Sequence, residues 1–175
     1  MGTTERTTWN IDKAHSEISF KVKHMMISTV TGHFEDFNAT AETDNEDFIN
    51  ADFSFTAKAG SINTRNGDRD KHLRSNDFFD AETFPEIRFK SKTFDGSTLV
   101  GDLTIRDITK EIQLEVDFNG IAKDPYGQTK AGFEATGKIN RKDFHLSWSA
   151  VTETGNIVVS DTVKLVIDLQ FYKAA

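Results

Sequence analysis

The sequence predicts an all-β chain, a single antiparallel barrel of about eight strands. Three observations predict it. Apolar and polar residues alternate with a period of two in about eight separate runs, the pattern of half-buried strands. Short turn signals separate several of the runs: Asp95-Gly96-Ser97, Arg106-Asp107 and Asp124-Pro125-Tyr126-Gly127. Each run has one apolar and one polar face, as in antiparallel sheets with one wet side, and a meander of this length can close on itself and so remove its exposed edges.

In chain order, the apolar sides of the runs are as follows. The first holds Ile18, Phe20, Val22 and His24, the second Phe37, Ala39 and Ala41. The third is long, with Ile49, Ala51, Phe53, Phe55, Ala57 and Ala59. Ile87 and Phe89 mark the fourth, and Leu99, Gly101, Leu103 and Ile105 the fifth. Ile112, Leu114, Val116 and Phe118 form the sixth, and Phe133, Ala135, Gly137 and Ile139 the seventh. Val163, Leu165, Ile167, Leu169 and Phe171 complete the set. Ser61 to Pro85 breaks the alternation. It is charged and turn-rich, then carries Leu73, Phe78, Phe79 and Phe84; Asp68 to Ser75 suits a short helix, which Phe84-Pro85 closes off. Such an insertion commonly covers a barrel end. Ser149 to Asp161 suits strand and loop equally.

The 175 residues make one domain over 1–175, with residues 1–8 as a flexible lead. There is no cysteine, so disulfide and thiolate chemistry are excluded. A net charge of −7 repels phosphate backbones and speaks against nucleic acid as a partner. No stretch approaches the ~20 apolar residues of a membrane helix, so no integral membrane span is expected. Met1 to Asn10 lacks an apolar leader, which points to the cytoplasm as the sequence stands, or to the periplasm were a leader removed. Fifteen Phe stand against 2 Trp and 2 Tyr, which suits a large, dry interior.

The apolar positions mix large residues with small ones: Ala39, Ala41, Ala51, Ala57, Ala59, Gly101, Ala135 and Gly137. An eight-stranded barrel either fills itself with side chains or holds one ligand. Small residues on several strands favour a cavity, and one lined by Phe wants an apolar chain. The competing expectation is a filled core of interlocking large and small residues. No phosphate loop or nucleophile elbow is present. Asp12, His15 and Ser16 invite a triad, but neighbouring strand residues point to opposite faces. The five histidines, His15, His24, His33, His72 and His145, show no metal-ligand spacing. His24 has inward parity at a strand end, suited equally to a rim hydrogen bond and to a ligand's polar head. The charged run from Arg65 to Arg74 reads as a solvated helix, or as arginines meeting an anionic head group at the barrel mouth.

Several motifs occur in a fixed order: Trp9-Asn10-Ile11-Asp12 with His15-Ser16, Phe20 to His24, and Thr31 to Phe37. Ile62-Asn63-Thr64 and Arg69 to Asp80 follow, then Phe84 to Ser91, Gly101 to Ile105 with Thr109-Lys110, and Asn140 to Phe144. In these the chain resembles the YceI-like, polyisoprenoid-binding family, whose fold is lipocalin-like, over Trp9 to Phe171. The resemblance implies an extended eight-stranded antiparallel barrel with a short helical segment against it. It also implies an isoprenoid-type chain in the pore and a homodimer. Two positions depart from the family pattern, His145 and Asp107, where glycine is common. The expected role is to carry or sequester a long-chain apolar lipid such as a polyisoprenoid or isoprenoid quinone, with no cofactor, no metal and no catalytic residue. The candidate ligand-binding residues are Phe20, Val22, His24, Phe34, Phe37, Phe53, Phe55, Leu73, Phe78, Phe89, Leu103, Phe118, Phe133 and Trp148. The alternatives are an enzyme acting on a lipid or quinone head group through His24 or His145, and a structural stress-response protein with a filled core.

Overall fold

The computed structural model describes residues 6–148 and 159–174. Eleven strands and one α-helix follow one another: β1 (Thr7–Ile11), β2 (Glu17–His24), β3 (Ser28–Phe34), β4 (Phe37–Thr43), β5 (Asp52–Lys58), β6 (Ile62–Asn63), α1 (Gly67–Arg74), β7 (Glu86–Phe94), β8 (Thr98–Ile105), β9 (Ile108–Lys123), β10 (Thr129–Asn140) and β11 (Val159–Lys173). Every pairing is antiparallel. The order β1-β4-β5-β7-β8-β9-β10-β11 returns to β1, so eight strands close into a barrel.

The strand count exceeds eight because the first part of the chain is kinked. β1 and β2 run along the same edge of β11, with Ile11 opposite Phe171 and Glu17 opposite Asp168. A single 3₁₀ turn, Lys13–His15, separates them. Across this gap the Ser16 hydroxyl takes over the ladder: it accepts from the Gln170 amide at 2.9 Å and donates to the Gln170 carbonyl at 3.4 Å. β3 and β4 are broken in the same way at Glu35-Asp36. Three strands, Thr7–Ile11, Ser28–Phe34 and the two-residue Ile62–Asn63, are absent from the runs read by alternation. Thr7 and Thr8 are not part of a flexible lead; they pair with Thr43 and Glu42.

Other boundaries move for local reasons. The third run does not begin at Ile49. Phe48 and Asn50 take left-handed φ values of 62° and 63°, which no strand accommodates, and β5 starts at Asp52. In β7 the register shifts between Ser91 and Thr93, so Phe94 turns inward against the simple parity. The helix is placed as expected to within one residue. Asn66 caps it by accepting from the Arg69 amide at 3.0 Å.

The small inward residues divide into two kinds. A Cβ on Gly101 would meet the Phe89 ring at 2.5 Å and the Lys90 carbonyl at 2.6 Å. One on Gly137 would meet Leu114 Cδ2 at 2.4 Å, and one on Gly32 would meet the Phe20 ring at 2.4 Å. Gly101 and Gly137 are therefore occupied slots rather than sources of void. Ala39, Ala57 and Ala135 do border open space.

Candidate functional site: a blind apolar cavity

The barrel interior encloses a cavity of about 200 Å³, walled almost wholly by carbon. Apolar voids of ~150 Å³ stay dry and take up a benzene-sized guest, so this space is fit for apolar matter and unfit for water.

One end is plugged. The loop between β4 and β5 is tied down by short-range bonds: Thr43 Oγ1 donates to the Asn45 carbonyl at 3.1 Å, and Asn45 Nδ2 donates to the Ile49 carbonyl at 3.1 Å. The Ala51 amide donates to the Phe48 carbonyl at 2.9 Å. These bonds turn Phe48 inward, where it is fully buried. Its ring lies 5.1 Å from Trp9, 5.3 Å from Phe118 and 5.0 Å from Phe133, centroid to centroid. Phe53, Phe94, Phe133 and Phe171 stand between this plug and the cavity as its floor.

The other end is built by the insertion between β6 and β7. Thr64 and Asp70, both buried, clasp α1 to the barrel: Asp70 Oδ1 accepts from the Thr64 amide at 2.9 Å and from its hydroxyl at 2.5 Å. Arg69 donates through Nε to Thr64 Oγ1 at 2.7 Å and through Nη2 to the Thr64 carbonyl at 2.6 Å. The clasp carries Leu73, Phe78 and Phe79 over the cavity. The motif Ile62-Asn63-Thr64 with Arg69 to Asp80 thus contains a fastening, and Arg69 is spent on it.

Of the candidate residues, Phe20, Val22, Phe34, Phe53, Phe55, Leu73, Phe78, Phe89, Leu103 and Phe133 line the cavity. Four do not. Phe37 is buried in the core opposite Ala57. Phe118 stacks on Phe133 at 4.9 Å and belongs to the plug. Trp148 packs outside the lining, 4.9 Å from the His72 ring and 5.5 Å from Phe78. His24 is half-buried at the end of β2, opposite Ser28 and Val159; Val159 lines the cavity and His24 is not among its lining residues. The lining also includes Phe94, Phe171 and the inward row of β11 from Val163 to Leu169. That row is legible in the alternation; Phe94 is hidden by the bulge.

The lining includes one charged side chain, Arg141, which the candidate set lacks. Its side chain is 3% exposed. Nε donates to the Ser160 carbonyl at 3.0 Å, Nη1 to the carbonyls of Leu146 and of Trp148 (2.7 Å), and Nη2 to that of Val159 at 3.4 Å. Burial lowers its pKa, and Asp161, 3.6 Å away, works the other way. With its donors committed to backbone, Arg141 holds chain segments together and leaves the cavity apolar.

The triad geometry is absent. His15 Nδ1 lies 2.8 Å from Asp12 Oδ2, but Ser16 is bonded to Gln170. Asp12 also accepts from Lys130 Nζ at 2.6 Å. Burial acts to raise the Asp12 pKa, but the hydrogen bonds and charges of Lys130 and His15 outweigh it and hold the carboxyl below its usual range. His145, the other acid–base candidate, takes φ 59° and closes the 3₁₀ turn Arg141–Phe144. That is a left-handed cap, a conformation that glycine adopts without strain. At the β8–β9 turn it is Arg106 (φ 57°), not Asp107, that is left-handed. No group of three or more metal-ligating side chains occurs among the described residues.

Comparison with known proteins agrees with this architecture. A UPF0312 protein of Staphylococcus aureus is 39% identical over 166 residues, spanning 94% of this chain and 97% of its own length. The crystal structure of the Campylobacter jejuni YceI protein matches with a TM-score of 0.72 at 35% identity, over 94% of this chain and 97% of that one. Two more distant structures share the fold. Burkholderia cenocepacia BcnA has a TM-score of 0.75 at 22% identity, covering 91% and 98% of the two chains. A polyisoprenoid-binding domain from Saccharophagus degradans has a TM-score of 0.72 at 12% identity, covering 95% and 98%. The family model for the YceI-like domain matches residues 9–171, and the chain belongs to that family.

Proposed function

We propose that this protein binds a long apolar lipid, a polyisoprenoid or an isoprenoid quinone, in the barrel cavity and carries or sequesters it. The observation that carries the reading is a carbon-walled cavity closed at one end by the Phe48 plug. A blind apolar tube takes a chain tail first. Each buried methylene contributes about 0.8 kcal/mol, and the polar head stays at the α1 end. The committed donors of Arg141 support this orientation, because no free charge inside competes for the head. The name of the Saccharophagus relative, a polyisoprenoid-binding domain, is consistent with such an occupant.

The test is organic extraction of purified protein followed by mass spectrometry, with back-titration of a prenol and a quinone monitored by native mass spectrometry. A stoichiometric long-chain lipid, displaced by the added chains, is expected. Protein that is empty and takes up neither chain would sink the reading.

A further inference from the structure

The tip of the β2–β3 turn runs against the rest of the surface. Met26 is 63% exposed and Ile27 80%, side by side at the α1 end of the barrel. Met25 and Met26 also take left-handed φ values of 50° and 61°. Hairpin turns with two left-handed central residues ordinarily hold Asn-Gly, which enters that region with little strain. Here both positions are methionine, so the turn is strained and its tip is large and apolar. The chain itself leaves that tip largely uncovered. Contact with an apolar phase outside the chain would offset the exposure.

Charge selects the kind of phase. Lys138, Lys164 and Lys21 are cross-strand neighbours on β10, β11 and β2, and Lys23 follows on β2 opposite Thr29. All four lysines are exposed, and none is in an ion pair among the described residues. Beyond the lysine row towards the turn lie Asn140, Thr162 and Thr29, all uncharged. Asp161, at the edge of this wall, is held by Arg141 at 3.6 Å and by Lys142 at 3.3 Å. The insertion carries both signs, Arg65, Lys71 and Arg74 against Asp68, Asp77 and Asp80. The plug end is the reverse of the lysine wall. Its turns, 44–51, 95–97 and 124–128, contain Asp44, Glu46, Asp47, Asp95 and Asp124 and no Lys or Arg. Tyr126 is 92% exposed there, but the carboxylates around it would repel an anionic surface.

From these observations we propose that the β2–β3 turn and the lysine wall behind it dock on an anionic lipid bilayer. Met26 and Ile27 enter the boundary between headgroups and acyl chains. Lys23 and Lys21 stand about 10 and 17 Å behind Met26 at ~3.3 Å per residue, and they reach headgroup level when the barrel tilts onto this wall. An apolar element and a basic patch are the two signals that reversible membrane contact combines. Each Lys near such a surface contributes about fivefold in affinity, and salt screens that contribution. Docking in this pose sets the α1 end against the membrane and the plug towards water. The inference is independent of what the cavity holds.

Vesicle sedimentation tests it on the full chain, with no prenol or quinone added. The vesicles are sucrose-loaded, either phosphatidylcholine alone or a phosphatidylcholine–phosphatidylglycerol mixture. Wild type is expected to sediment with the anionic vesicles in low salt, and much less with the neutral ones or in ~0.5 M salt. Met25→Asn/Met26→Gly separates docking from folding. It should raise the melting temperature, because the turn relaxes, and yet weaken binding to anionic vesicles roughly tenfold. Ile27→Ser should weaken binding by a similar factor, whereas Ile27→Trp should bind at least as well as wild type. Lys21→Glu/Lys164→Glu should weaken binding by roughly tenfold or more and remove the preference for anionic vesicles. Circular dichroism checks that each variant is folded. Wild type that stays in the supernatant with anionic vesicles would overturn the proposal. So would turn variants that sediment as wild type does, or wild type that binds neutral and anionic vesicles equally.

Discussion

The two ends of the barrel are sealed by opposite kinds of physics. The plugged end is shut by ring packing: Phe48 contacts Trp9, Phe118 and Phe133, and Phe118 contacts Phe133, with centroids about 5 Å apart, and the plug needs no charged group. The α1 end is fastened by polar clasps, Thr64–Asp70–Arg69 and the Arg141 fan, which hold Leu73, Phe78 and Phe79 over the cavity. It also exposes Met26 and Ile27 at the β2–β3 turn. Packed rings open only with the core, whereas a few hydrogen bonds open locally. The contrast assigns permanence to one end and access to the other.

Four measurements break or sharpen that contrast. The largest effect is expected from Phe48→Ala. Removing a fully buried ring costs about 3–5 kcal/mol, with relief of its left-handed backbone returning little, because alanine is strained there too. Denaturant unfolding should show one transition at a lower midpoint. At the other end, Thr64→Val leaves Asp70 and Arg69 without the hydroxyl they share and should cost about 1–3 kcal/mol. Its signature is local: amide exchange should rise over α1 well before it rises in β8–β10, and release of bound lipid should speed up. Equal loss of protection everywhere would mean that the α1 end is as integral as the plug.

Asp12 gives a pH test on the β1–β2 kink. Its pKa in the fold is held below the ordinary carboxylate value by Lys130 and His15. Its contribution is therefore complete above the unfolded-state pKa of ~3.9 and is lost as pH falls through the depressed folded value. Thermal melts between neutral and acid pH should show Asp12→Asn losing stability near neutrality and the gap to wild type closing in acid. The smallest effect is a gain. Glycine at His145 removes the cost of a side chain in the left-handed region, so His145→Gly should stabilise by about 1 kcal/mol, read as a small rise in melting temperature.

Much of this fold is legible in the sequence because burial on one side of a strand writes itself as alternation. β8, the apolar stretch of β9 and most of β10 have the parity read from their residues. Legibility fails where the backbone departs from simple pleating. Ser28–Phe34 shows no clear alternation because Gly32, carrying no side chain, occupies the inward position beneath the Phe20 ring. Phe48 leaves no mark in the alternation because a left-handed loop, not a strand, aims it inward. Arg141 lines the cavity against every expectation from polarity, and only its fan of carbonyl acceptors makes that tolerable. Of Ser149 to Asp161, which suits strand and loop equally, Val159 to Asp161 belong to β11, and residues 149–158 lie outside the described residues.

Gly32, Gly101 and Gly137 have a consequence for how such a pore changes over generations. None of the three borders the cavity, yet each gives a large neighbour a place to lean: the ring of Phe20, the ring of Phe89 and the branch of Leu114, all of which do border it. A single methyl group added at any of these glycines would push that neighbour toward the vacant space. The capacity of the pore is thus open to retuning by inheritance at positions that no guest ever touches.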